Sequence, residues 1–428
     1  VRQLYSALVY LLRPLALLVL LWRGVRNRTF LEGLRERFGF GARCSPSVWV
    51  HAVSLGEVIA AAPIIRALKL KHARQPVILT TATPTGRARA RALFGAALDV
   101  RYLPYDTPGS MRRFFARVKP QVAVIMETEL WPNLFHQCRL RGIPVILANA
   151  RLSPKSVVRY RRFGRLFRDV FSGNTLVAAQ SAADAERFIA IGADPLATQI
   201  IGNVKFDQQP DAVMTQRGHA LKAAWGGRPV WIAGSTHAGE EEMVLTAHAE
   251  LEAAAAGAGA LLLLVPRHPE RFQAVADLLT RRGFRYERRS RLGGLGPTVL
   301  LPPDARVLLV DTVGELAALY CAVDVAFVGG SLVPVGGHNL LEPAALGVPV
   351  ITGPYQANGR DIAQLLLREG GAIQVADARE LADLLGQLMA DPARRRRIGD
   401  NGRRVVDGNR GSTARLLELI EPFLPVTC

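Results

Sequence analysis

From residue 47 onward one pattern recurs: a short β-branched, apolar run followed by a longer stretch of helical character. The runs are SVWVHAV, PVILTTA, DVRYLP, QVAVIMETE, IPVILANA and TLVAAQ, and helical stretches follow at 54–72, 83–95, 107–119, 130–141, 155–171 and 181–191. Strands alternating with helices in this way predict parallel βαβ units, and so a doubly wound α/β domain. Between Phe206 and Arg228 the pattern lapses into polar residues with Gln208, Gln209, Pro210 and the Gly226-Gly227 pair, which reads as an interdomain linker. The alternation then restarts with strand candidates at 229–235, 260–267, 305–312, 324–330, 349–354 and 372–376, and 288–304 reads as an irregular loop. Two doubly wound domains in tandem predict a ligand cleft between the carboxyl ends of their sheets.

Ahead of this pattern, Leu4 to Trp22 is apolar over about the length of a bilayer span, interrupted by Arg13 and Pro14. No small-residue cleavage site follows it, which predicts a retained anchor, and the arginines after it (Arg23, Arg26, Arg28, Arg35, Arg37) predict that the body faces the cytosol. A buried N-terminal helix of a soluble protein satisfies the same pattern. The net charge of +18 calls for an anionic partner, with nucleic acid, anionic lipid and phosphorylated substrates all eligible. Only six of the basic residues are lysines, an arginine bias that makes the charge a weak guide by itself. Cys44, Cys138, Cys321 and Cys428 are far apart, with no C-x-x-C and no nearby histidine pair, so neither a zinc site nor a disulfide framework is expected. No H-E-x-x-H or D-x-D occurs, and no metal is expected.

Several strand-to-helix turns carry residues suited to chemistry. In HAVSLGE, Glu57 falls in the first turn of a helix at a strand's carboxyl end; it either faces a ligand or complements the helix dipole. ETELWPN puts Glu127 and Glu129 on one face at the end of another strand, as reactive carboxylates or as caps to the helix that begins near Pro132. The stretch with Arg151, Lys155, Arg159, Arg161, Arg162, Arg165 and Arg168 is a solvated basic face or a site for an anionic headgroup. In IGNVKFD, Lys205 stands alone between Lys155 and Lys222, either a surface lysine or a compact charge for a phosphate or carboxylate. In the second half, AGSTHAGEEE offers Gly234, Ser235 and Thr236 at a helix N-terminus. VPRHPERF (Arg267, His268), DTVGEL and VGGSLVPVGGHNLLEPAALG (with Glu342) repeat that arrangement. Four anion-friendly loops on one sheet edge favour a nucleotide phosphate.

Taken in order, HAVSLGE, ETELWPN, NARLS, GNVKFD, AGSTHAGEEE, PRHPERF, DTVGEL and FVGGSLVPVGGHNLLEPAALG, behind an apolar N-terminal segment, resemble the 3-deoxy-D-manno-octulosonic acid (Kdo) transferases of lipopolysaccharide assembly. The resemblance implies a GT-B fold, two Rossmann-like domains facing across a cleft, divided here as an anchor over 1–28, an acceptor domain over 29–207 and a donor domain over 208–428. It implies inverting, metal-independent and cofactor-free transfer of Kdo from CMP-Kdo to the lipid A precursor, lipid IVA, at the cytoplasmic face of the bacterial inner membrane. It makes Glu57 the general base and gives Glu127 and Lys205 to the transition state. CMP contacts fall to Arg267 and His268, to Val313, Gly314 and Glu315, and to Asn339, Leu340, Leu341 and Glu342, beside Ser235 and Thr236. One departure is local: after the Gly-Pro of 353–354 the family usually has Asn-Phe, whereas here Asn358 is followed by Gly359.

The competing expectations are a membrane-surface glycosyltransferase using a nucleoside diphosphate sugar, a nucleic-acid-binding protein and an oxidoreductase. Nucleic-acid binding rests on the charge alone and has no recognisable module behind it. The first βα turn lacks G-x-G-x-x-G, which disfavours a dinucleotide.

Overall fold

The computed structural model describes residues 1–208, 212–254, 257–293 and 301–424. Gln209 and Pro210 of the expected linker, 294–300 of the expected loop, and Cys428 lie outside the described residues. The chain divides into two compact units, Val1–Gln208 with Asn409–Cys428, and Gln209–Gly408.

In the first unit seven strands, β1 (Ser47–His51), β2 (Val77–Thr81), β3 (Asp99–Tyr102), β4 (Pro120–Met126), β5 (Val145–Ala150), β6 (Thr175–Ala179) and β7 (Thr198–Ile200), form a sheet of order β3-β2-β1-β4-β5-β6-β7. Every pairing in it is parallel. Alternate residues feed two cores, Val48, Val50, Val122 and Val124 on one face, Trp49, Ala123 and Ile125 on the other. Burial on both faces is why these strands read as continuous apolar runs.

The second unit repeats the plan with β8 (Val230–Thr236), β9 (Leu261–Pro266), β10 (Tyr286–Arg288), β11 (Val307–Leu309), β12 (Val325–Val328), β13 (Val350–Thr352) and β14 (Ala372–Gln374), in the order β10-β11-β9-β8-β12-β13-β14. Strand β10 was not expected: its three half-buried residues, Tyr-Glu-Arg, give no apolar run. Strand order reverses between β1 and β4 and between β8 and β12, so the loops leaving those strands diverge and open a crevice at each carboxyl edge.

Two boundaries differ from the sequence reading. The expected linker contains a helix, Ala212–Ala224, which buries Leu221 and is followed by Trp225 in a turn, both in the core beside Val230 and Ile232. The chain from Asn409 onward belongs with the first unit rather than with a continuous 208–428 domain. Helix Ser412–Ile420 inserts Leu416 and Ile420 among Val58, Ile65 and Val204, which accounts for its return.

Candidate active site

In the first unit the β1–β4 crevice collects carboxylates. Ser54 caps helix Leu55–Lys71 by accepting the Glu57 N–H on Oγ at 3.3 Å, and its hydroxyl donates to Glu57 Oε1 at 2.9 Å. Glu57 Oε2 accepts the N–H of Val53, the residue before the cap, at 2.8 Å, which turns the carboxylate back toward the strand end. Burial pushes the Glu57 carboxyl up to about 7, with its two hydrogen bonds opposing the shift and the charges of Glu127 and Glu129 adding to it. Dipole complementation and a reactive role are therefore compatible here: Ser54 caps the helix, and the Glu57 carboxylate sits in its first turn and is tuned toward neutrality.

Glu127 follows β4 in the left-handed region at φ 56, a conformation non-glycine residues adopt only when held, and its N–H donates to Ala148 O at 2.9 Å. Glu129 accepts the Trp131 indole N–H at 2.8 Å, so it is tied to its own loop, and burial raises its carboxyl. Lys205 rides on the short turn Val204–Asp207. That turn hangs from Asn149, whose Oδ1 accepts the Val204 N–H at 3.1 Å. Asn149, also left-handed at φ 53, is the neighbour of the Ala148 that holds Glu127. Glu57, Glu127 and Lys205 thus share one sheet edge. The basic stretch lies on helices Pro154–Arg162 and Gly164–Phe171, where Lys155, Arg159, Arg161, Arg162, Arg165 and Arg168 are exposed.

In the second unit Ser235 is buried and left-handed at φ 60, another strained residue at a switch point. Arg267, exposed, donates its N–H to Thr236 O at 3.0 Å, joining the ends of β8 and β9. The loop after β12 joins them through two histidines that the sequence reading did not single out: His237 Nε2 and His338 Nε2 are 2.8 Å apart, and the His237 and His268 rings are edge-on at 5.3 Å. Burial, then Arg267, His237 and His268, push His338 down to about 4. His237 is lowered by burial and by His268, Arg267 and Arg271. Neutral imidazoles crowded against arginines mark a positive pocket suited to an anion. The signal available in the sequence was a histidine in each of three strand-end loops.

The remaining expected contacts are less uniform. Val313 and Gly314 are exposed at the end of β11, whereas Glu315 is held by Arg289 at 3.1 Å and by the Thr312 hydroxyl at 2.6 Å. Asn339 bonds Glu342 through Nδ2 at 3.1 Å and accepts the Leu341 N–H at 3.2 Å. Leu340 and Leu341 are buried, which leaves only their backbone for a ligand. Among the described residues no group of three or more His, Cys, Asp or Glu is arranged to hold a metal ion.

Residues 32–208 match the sequence profile of the 3-deoxy-D-manno-octulosonic-acid transferase (kdotransferase) family. A 3-deoxy-D-manno-octulosonic acid transferase of Haemophilus influenzae is 41% identical over 99% of this chain and 99% of its own length. The chain belongs to the Kdo transferase family. A second Kdo transferase, from Bordetella pertussis, is 41% identical over 96% of this chain and 98% of its own. As a member of that family the protein is a glycosyltransferase. UDP-GlcNAc 2-epimerase from Neisseria meningitidis is similar in structure, with a TM-score of 0.59 over 88% of this chain and 100% of its own at 14% identity, a likeness of fold alone. The Kdo transferase therefore has the GT-B-like architecture, two parallel-sheet α/β units, with an apolar N-terminal helix.

Proposed function

We propose that this Kdo transferase moves Kdo from CMP-Kdo to the lipid A precursor, lipid IVA, with inversion, without a metal or other cofactor, at the cytoplasmic face of the bacterial inner membrane. The observation that carries the reading is Glu57, a buried carboxylate raised to about 7 at the switch point of its sheet. A base of that strength takes a proton from a sugar hydroxyl as its oxygen attacks the anomeric carbon. The bond from that carbon to the CMP phosphate oxygen breaks, and the electron pair leaves on CMP. Arg267 supplies positive potential for the departing phosphate, the part a metal plays in other transferases, and the clustered rings of His237, His268 and His338 supply N–H donors beside it. Lys205 and Glu127 serve the transition state at the same edge as Glu57. The arginines that follow the apolar run Leu4–Trp22, Arg23, Arg26 and Arg28, favour the cytoplasmic side.

The test is to incubate the full chain with CMP-Kdo, chelator and lipid IVA in mixed micelles and weigh the product. A mass increment of whole Kdo units is expected. An unchanged acceptor, turnover abolished by chelator, or equal protection of the protein by UDP and CMP would overturn the corresponding part.

A further inference from the structure

Helix Arg2–Arg26 is, by length and composition, able to cross a membrane. Its contacts describe something else. At its start Arg2 Nη1 and the Ser6 hydroxyl donate to Asn133 Oδ1 at 3.1 and 2.9 Å, and the Tyr5 hydroxyl donates to Asp106 Oδ2 at 2.9 Å. Asp106 and Asn133 are themselves buried and bonded to each other. Midway, Tyr10 accepts the Gly109 N–H at 3.3 Å and the Arg13 guanidinium lies 4.5 Å from the Phe38 ring centroid. At its end Gly24 is buried so tightly against Leu31 that a Cβ would stand 2.5 Å from that side chain.

A helix of 25 residues is ~37 Å long, more than the ~30 Å hydrocarbon core. Were it to cross the bilayer, Arg2 and Leu20, about 27 Å apart along the axis, would lie near opposite sides, yet Arg2 is fastened to Asn133 and Leu20 is buried at the cavity that Arg37, Ala82, Pro84 and Tyr105 line. That unit would have to cross with it, carrying the polar Asp106–Asn133 knot to the far face. The side chains divide accordingly: Ser6, Leu20 and Gly24 are buried against the unit and Arg13 is half-buried, whereas Leu4, Leu8, Leu11, Leu15, Leu18, Trp22 and Val25 form a continuous exposed apolar stripe.

We infer that this helix is an in-plane strap, fixed lengthwise on the first unit and sunk by its exposed stripe into a single leaflet of an anionic phospholipid bilayer. Its occupant is identified by charge as well as by the stripe. Residues 1–31 hold five arginines and no acidic residue. Behind the helix a cavity of about 490 Å³ is lined by Leu12, Leu15, Leu20, Phe30, Arg37 and Tyr105. Leu15 belongs to both stripe and cavity. Arg37 is buried there, stacked on Tyr102 at 3.9 Å, and its Nε has no partner. A buried guanidinium with an unmet donor in an apolar groove suits the phosphate of an anionic glycerophospholipid whose chain runs along the helix.

Topology is tested on the full chain, with Cys44 and Cys428 replaced by serine and single cysteines introduced by Gln3→Cys or by Arg74→Cys, in membrane vesicles of both orientations treated with an impermeant maleimide. Labelling of both positions from the same face is expected; labelling from opposite faces would overturn the strap. Flotation with phosphatidylglycerol and phosphatidylcholine vesicles tests the lipid, and Leu11→Glu with Leu18→Glu is expected to weaken partition by roughly tenfold or more while CMP binding is kept. Equal partition into the two lipids, or undiminished flotation of the double variant, would overturn it. Neither readout uses transfer activity, so each stands apart from the donor and acceptor proposed above.

Discussion

The fully buried Glu240 carboxylate accepts the backbone N–H of Gly330 at 2.7 Å. The same side chain takes the N–H groups of Ser331 at 3.0 Å, Leu332 at 2.9 Å and His237 at 3.2 Å, pinning the loop after β12 to the end of β8. Gly329 passes so close that a Cβ there would lie 2.7 Å from Glu240 Oε2. Glu240→Gln turns an NH₂ toward two of these donors. Each charged hydrogen bond contributes roughly 1.5–3 kcal/mol, so a loss of about 3 kcal/mol is expected. It should appear as faster hydrogen exchange in β8 and β12, with weaker CMP binding, while exchange in β1 and β4 stays unchanged.

With Glu57 as the proposed base, activity and stability are expected to oppose each other across one pH window. Its folded-state value, about 7, lies above the ordinary carboxylate value of 4.5, so the protonated form is the one folding favours. Stability from this group is fully present below pH 4.5 and is lost as pH rises through 7, about 3 kcal/mol in all. Base catalysis needs the ionised form and so rises over the same range. Glu57→Gln should lower kcat by about 10²–10⁴-fold and flatten the pH dependence of the melting temperature between pH 4.5 and 7. A folded variant with unchanged kcat would pass the base role to Glu127.

Doubly wound architecture was legible because burial on both sheet faces writes strands as unbroken apolar runs such as LLLLV, and turns at strand ends keep their small and polar residues. The place of Glu57, in the first turn of the helix that follows β1, was legible for the same reason. What stayed hidden depends on partners remote in sequence. Glu240 looked like one of three glutamates in a helix's first turn, and only the fold brings Gly330 to it. His237 and His338 are 101 residues apart, and their pairing follows from β8 and β12 being neighbours. The sequence bounds assign everything from 208 to 428 to the second domain, and nothing local to Leu416 and Ile420 shows that the first unit's core receives them.

Arg267 and the three histidines predict a proton-linked nucleotide site. In the free protein His338, at about 4, is neutral at pH 7, and phosphate binding beside it favours the protonated form. CMP affinity should therefore rise as pH falls from 7 to 5, with proton uptake visible in calorimetry in buffers of different ionisation enthalpy. Arg267→Ala should weaken CMP by roughly 1.5–3 kcal/mol at every pH. His338→Asn should instead leave the affinity at pH 7 nearly intact and remove most of the gain at pH 5.

Asp207 closes the chain on itself. Its Oδ1 accepts the Gly411 N–H at 2.7 Å and its Oδ2 accepts that of Thr413, so one carboxylate caps helix Ser412–Ile420 from the far end of the first unit's own sequence. The cap sits two residues after Lys205, on the same short turn, and therefore links the returning helix to the edge that carries Glu57 and Glu127. Losing a cap costs about 0.5–2 kcal/mol. Asp207→Ala should speed hydrogen exchange across 412–420 by roughly tenfold, the equivalent of about 1.4 kcal/mol, with Asp207→Asn closer to the parent because it keeps one acceptor. If the turn also positions Lys205, Asp207→Ala lowers kcat with little change in CMP affinity, whereas a merely local cap leaves kcat where it was.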